Sequence, residues 1–281
     1  MHLRTAEWIS LAAFSWLVAL AWRRPSLDRV RRAKITAIGA GGVGVTLFAS
    51  LALPLLADPR AARVARDWIP YVPLLLFYWQ AGQFVTRSDV AFEERLERLD
   101  LRLAAPPLLW CARQPWAPWL FSYLEVSYMS YYLSTPLALG ALYWTGTDAQ
   151  AGHFWTVVLL AAYGSCSVIP FIQTRPPRAL GEKWSAALPA GKVRQFNHWI
   201  LRQGSIHANT FPSAHVAIAT ACALVVLQAA PLWVGLLFLW GAISVALGAV
   251  AGRYHYALDA ILGALFAAAA FLAGLALAEF A

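Results

Sequence analysis

Eight stretches of this chain, roughly 6–22, 35–57, 68–86, 119–145, 151–173, 213–230, 232–251 and 256–278, have about the length of a bilayer crossing and carry at most one acidic or basic residue each. A backbone in lipid finds no water to bond, so such runs must fold as helices. The composition agrees. Sixty per cent of the 281 residues are AVILMFWYC, 13% are charged and the mean hydropathy is +0.57, whereas soluble domains carry about 25% charged residues. Too little polar surface remains to clothe a water-soluble globule, and disorder or a disulfide scaffold is excluded on the same grounds. Of the three cysteines, Cys166 and Cys222 lie in apolar runs and read as small hydrophobes. The expectation is an all-α integral membrane protein of about eight transmembrane helices.

The first run lacks the basic start and small-residue cleavage site of a signal peptide and is followed by Arg23 and Arg24, so it reads as a retained helix. Trp22, Trp68, Trp119, Trp144, Trp155 and Trp233 fall near span ends, where an interfacial belt places them. Pro54, Pro70, Pro73, Pro136 and Pro170 lie within or near spans, and neighbouring helices are expected to satisfy the carbonyls they free. Gly39-x-Gly41-x-x-Gly44 matches a dinucleotide fingerprint, but it sits inside an apolar span with no strand before it, and helix packing is the better reading. Outside the spans, residues 88–104 place Phe92, Leu96, Leu99 and Leu103 on one helical face with charges opposite, as in an amphipathic helix on a membrane surface. Residues 174–212 form the longest loop, polar and broken by proline and glycine, a length at which loops are often functional.

Three polar clusters interrupt this apolar frame. Arg175-Pro176-Pro177-Arg178 ends the fifth span, and two stiffened guanidiniums can grip a phosphate. Phe211-Pro212-Ser213-Ala214-His215 opens the sixth, where the first-turn amides favour an anion. Arg253-Tyr254-His255-x-x-x-Asp259 opens the eighth. His255 and Asp259, four apart, share a helix face, so the carboxylate can hold one ring nitrogen and leave the other as nucleophile or base. Strict alternation of spans brings all three clusters to one membrane face. Glu125, inside the fourth span on that side, reads as a holder of a site arginine, a proton relay or a polar tie between helices. No Cys/His metal spacing is present, and no metal or organic cofactor is implied. The set suits phosphoryl transfer.

In this order, Arg-Pro, Pro-Ser-x-His and His-x-x-x-Asp resemble the type 2 phosphatidic acid phosphatase superfamily. Phe-Pro-Ser-x-His-Val and Arg-Tyr-His-Tyr-x-x-Asp resemble its branch containing inositol-phosphorylceramide synthases. The resemblance implies a six-helix lipid phosphatase or phosphotransferase membrane domain over 68–281, with 1–67 adding two N-terminal transmembrane helices. It implies His255 as a nucleophile forming a phosphohistidine, Asp259 as its orienter, His215 as general acid, and Arg175 and Ser213 as phosphate contacts. Two of the family's usual cations are replaced here by Val168 and Ala249, and Ala214 stands for a common glycine. Arg178 and Arg253 are the candidates to supply the missing charge, with Lys183 and Arg202 behind them.

The implied substrate is a lipid phosphate, hydrolysed as a monoester or diphosphate. The alternatives are headgroup transfer to a lipid alcohol, and a non-catalytic lipid-binding or transport protein. Net charge is +8, from 22 Lys+Arg against 14 Asp+Glu. No basic stripe with interleaved aromatics points to nucleic acid, so the excess reads as affinity for anionic membrane lipid. Eighteen of the 22 Lys+Arg fall in loops on the side of the clusters. The positive-inside rule makes that side cytoplasmic, whereas the resemblance implies the lumenal or outer face of a cell membrane.

Overall fold

The computed structural model describes residues 2–181 and 184–278. Among them the regular structure is helical: α1 Thr5–Arg23, α2 Arg29–Leu51, α3 Pro59–Trp68, α4 Tyr71–Gly82, α5 Val90–Leu103, α6 Ala105–Ala112, α7 Ala117–Trp144, α8 Ala151–Cys166, α9 Lys192–Gly204, α10 Ala214–Ala229, α11 Leu232–Ala251 and α12 Ala257–Ala278. The described residues form no strand; one isolated bridge joins Thr174 to Asn209. Four helices are long and apolar enough to cross a membrane, over Thr5–Arg23, Arg29–Leu55, Leu232–Ala251 and Ala257–Leu277. The protein is an all-α membrane protein. The α4, α7, α8 and α10 helices run beside these four.

Two expected spans are shorter than their apolar runs. The 68–86 run is helical as α4 only over 12 residues, about 18 Å against about 30 Å of hydrocarbon. A separate helix, α3, precedes it, and the break falls at Pro70, which has no N–H to continue the ladder. The 151–173 run leaves the α-helix after Cys166 and continues as turns through Pro170. Pro136 has the opposite fate and stays inside α7. It cannot donate to the Tyr132 carbonyl, and the Tyr71 hydroxyl of α4 bonds that carbonyl instead at 3.0 Å.

The α10 helix is the hub. It packs on α7, α8, α11 and α12 and is apolar all round, as a core helix must be. The α1 and α2 helices pack on each other and reach α8 and α4 respectively. At Gly42 a Cβ would come within 2.2 Å of the Phe14 ring, so this glycine permits the α1–α2 contact. Trp22, Trp68, Trp119, Trp144 and Trp233 are exposed as a belt requires, whereas Trp155 is buried and donates to Asp67 O at 2.5 Å. That bond belongs to a polar cluster at the end of the bundle remote from the three motifs, where Arg66 pairs with Glu7 (2.6 Å) and Tyr143 OH donates to Asp67 (2.7 Å).

Candidate active site

The motif end is assembled by three devices. After α11, the amides of Tyr254 and His255 both fold back to Ala249 O, at 2.9 and 3.0 Å. Arg253 takes a positive φ of 59° in this turn, a conformation that costs a non-glycine residue energy and persists only where its surroundings hold it. They do so here. Its guanidinium pairs with Asp100 (2.5 Å) and Glu97 (2.8 Å) and lies 4.3 Å from the Trp184 ring centroid. Ser213 caps α10, its Oγ accepting from Val216 N and its own N–H donating to Asp259 O at 3.1 Å. Gly263 makes this close approach possible, because a Cβ there would meet Ser213 O at 2.6 Å. Asn209 N bonds Thr174 O at 2.8 Å, tying the Arg-Pro segment to the lead-in of α10.

These devices bring His215 and His255 together. His255 Nε2 lies 3.1 Å from His215 Nδ1, and His255 Nδ1 lies 3.3 Å from Asp259 Oδ2. Asp259 is fully buried, and its Oδ2 also accepts from Asn209 Nδ2 at 2.6 Å. A carboxylate only accepts, so the proton on the 255 ring belongs on Nδ1. Its Nε2 is then a lone pair that accepts from His215 Nδ1–H. One proton arrangement thus leaves a nucleophilic lone pair on His255 Nε2 facing a proton on His215. Tyr131 packs edge-on to the His215 ring at 4.3 Å, and Tyr128 stacks on Tyr254 at 4.1 Å.

The basic residues divide into two groups. Arg175 is clamped to Glu93 of α5, with its Nη2 at 2.7 Å and its backbone N–H at 2.6 Å from the carboxylate; the pair raises the arginine's proton affinity further. Arg253 is buried against Glu97 and Asp100. Burial raises the Asp100 carboxyl above the usual aspartate value, and the Ala257 amide and Arg253 draw it back. Arg178 has no carboxylate partner among the described residues; its guanidinium carbon stands 5.3 Å from the Tyr254 ring centroid. With His198, Arg202 and His207 it lines a cavity of about 300 Å³. Lys183 lies outside the described residues. Ser213 is fully buried, with its cap and backbone bonds already made.

The α5 helix corrects the expected amphipathic face. Its buried positions are Glu93, Leu96 and Asp100, while Leu103 is exposed. Asp100 turns inward because Arg253, shielded from water, needs a partner, whereas Glu93 is the buried half of a pair whose arginine, Arg175, stays exposed. The spacing of Glu93, Glu97 and Asp100, at four and seven residues, was the available signal. Asn209 and His198 carried none. The 174–212 segment also contains α9, flanked by the glycines and Pro189 that mark it as loop. Glu125 holds this helix: its carboxylate accepts from Arg194 Nε (2.6 Å), Asn197 Nδ2 (2.6 Å) and Tyr254 OH (2.5 Å). Burial and this carboxylate raise the Tyr254 hydroxyl far above the usual tyrosine value, so it remains a donor.

No curated protein and no solved structure matches the chain. A family model described as the PAP2 superfamily matches residues 94–273, which include the histidine pair, Asp259, Arg175, Arg178 and the α5 acids Glu97 and Asp100. With a model spanning most of its length and the two histidines side by side, the chain belongs to the PAP2 superfamily.

Proposed function

We propose that this PAP2-superfamily protein is a membrane-embedded lipid phosphatase acting on a lipid phosphate monoester or diphosphate through a phosphohistidine at His255. The observation that carries the reading is the 3.1 Å contact between His255 Nε2 and His215 Nδ1, with Asp259 behind the first ring. Substrate phosphorus enters between the two nitrogens and replaces their hydrogen bond. His255 Nε2 forms the P–N bond as the bond from phosphorus to the lipid oxygen breaks. His215 delivers its Nδ1 proton to that oxygen, and Asp259 stabilises the charge that develops on the 255 ring. Water then attacks phosphorus, its proton passing to His215, and inorganic phosphate leaves as the P–N bond breaks. Arg178 supplies positive charge to the phosphoryl oxygens, helped by Arg175, whose Nη1 takes no part in its clamp with Glu93. Arg253 and Ser213 act from behind, holding the turn and the helix start.

A second reading keeps the phosphohistidine and lets a lipid alcohol take the place of water. The two motifs shared with the inositol-phosphorylceramide-synthase-like branch favour it, as does the burial of His255, which is 3% exposed. Incubating purified protein with phospholipids and polyprenyl phosphates separates the readings. Free phosphate without a new lipid product supports hydrolysis; a new phospholipid supports transfer. His255→Ala abolishes either. Full function in that variant would leave a non-catalytic lipid-binding protein. Vanadate, which adopts the geometry of the phosphoryl transition state, inhibits both reactions; insensitivity at high vanadate would count against a covalent histidine.

A further inference from the structure

A cavity of about 580 Å³ lies between α4, α7, α8 and α10, roofed by Ile200 and Gly204 of α9. Leu74, Phe77 and Tyr78 of α4, Tyr131 of α7, Ala162 of α8 and Ile218 of α10 form its wall, and His215 stands at its inner end. Two of the wall's hydroxyls are spent on protein. Tyr71 OH bonds Tyr132 O at 3.0 Å, and Tyr78 OH accepts from Ile206 N at 3.2 Å. Apart from the Tyr131 and Tyr132 hydroxyls and His215, what lines the space is mostly ring and aliphatic carbon, a surface that binds hydrocarbon rather than a sugar. The outer lip is formed by Leu75 and Trp79, which line the cavity and are also 39% and 46% exposed on the apolar flank of the bundle. The cavity therefore joins the bilayer side of α4 to the catalytic histidine, and α4 lies outside the residues matched by the family model.

We propose that this cavity holds the hydrocarbon chain of the lipid whose phosphate meets the histidine pair, and that α4 sets which chain lengths are accepted. The inference rests on the phosphatase reading for the position of the phosphate. It adds where the chain of that lipid phosphate lies, entering from the membrane, and names the specificity-determining helix. With the phosphate between His215 and His255, the ester oxygen points to the His215 side, where the cavity begins, so proton delivery and chain binding fall on the same side of phosphorus.

The test compares octyl, dodecyl and hexadecyl phosphate. In the wild type kcat/KM rises with chain length. Ala162→Phe, which fills the cavity from α8, and Leu75→Trp, which narrows its lip, each lower the hexadecyl-to-octyl ratio of kcat/KM by about tenfold, the contribution of roughly two buried methylenes. The Leu75 position faces lipid and carries the test by itself should Ala162→Phe fail to fold. A ratio unchanged in the folded variants overturns the proposal while leaving the phosphatase reading intact. A second measurement needs no turnover. Hexadecyl phosphate with a diazirine at the chain end is photolysed on His255→Ala protein. Adducts within 71–82 or on the cavity face of α8 support the inference, and adducts confined to other helices overturn it. A wild type inactive on every alkyl phosphate would count against the phosphatase reading alone, because the adducts still decide where the chain sits.

Discussion

Asp259 is held from two directions, by Asn209 on Oδ2 and by His255 Nδ1 on the same oxygen, while its backbone carbonyl receives the Ser213 amide. The pairing of 255 with 259 is legible in sequence, because residues four apart on a helix share a face. Asn209 is not, since its partner lies 50 residues away and only the folded loop brings them together. Asp259→Asn replaces the carboxylate by a neutral amide whose NH2 can face Nδ1 and favour the other tautomer, and kcat falls by about 10²–10⁴ with little change in KM. Steady-state kinetics checks this, and a kcat near wild type would remove the orienting role. His198 offers a second check at this scale. Burial first, and then the neighbouring Arg178, hold its ring below the usual histidine value. A nearby cation disfavours the protonated ring, so Arg178→Gln raises the His198 midpoint, measurable by nitrogen-edited NMR of labelled histidine. An unmoved or lowered midpoint would place Arg178 too far away to act on this cavity.

The α5 helix is where expectation and structure differ most. The apolar stripe of Phe92, Leu96, Leu99 and Leu103 is legible, and the helix itself lies where it predicts. The inward face is nonetheless set by Glu93, Leu96 and Asp100. Amphipathicity in sequence assumes that charge seeks water. Here the charge seeks Arg175 and Arg253, whose distance along the chain hides the pairing. Asp100→Ala leaves Arg253 buried with one fewer partner, and the cost is about 3–5 kcal/mol for a broken buried pair. Because Arg253 holds the turn that carries His255, activity falls with it. Denaturant titration in detergent and phosphate release read the two losses, and full stability in this variant would show the pair to be dispensable. The α4 and α9 helices were obscured for other reasons: prolines cut the first short, and the glycine- and proline-rich flanks of the second resemble a loop.

Across the whole molecule, the ends of the helices sort into two groups. Arg4, Asp67, Tyr143 and Trp155 meet at one end, and the three motifs meet at the other, as alternation of apolar runs requires. Loop charge favours the cytoplasm for the motif end, and the family resemblance favours the outer face. On the cytoplasmic assignment a cysteine at Ser205, in a protein whose own Cys111 is replaced, escapes an impermeant thiol reagent in intact cells and reacts in inside-out vesicles; labelling in intact cells would put the site on the outer face. The sequence by itself determined that the chain lives in lipid as helices and that three polar clusters share one end, because hydropathy and alternation are local properties that burial cannot reverse. Only the tertiary structure decided which arginines are consumed by carboxylates and which cavity meets His215. Ion pairing and packing are between residues far apart in the chain, and their partners are chosen by the desolvation cost of leaving a buried charge or void unmet.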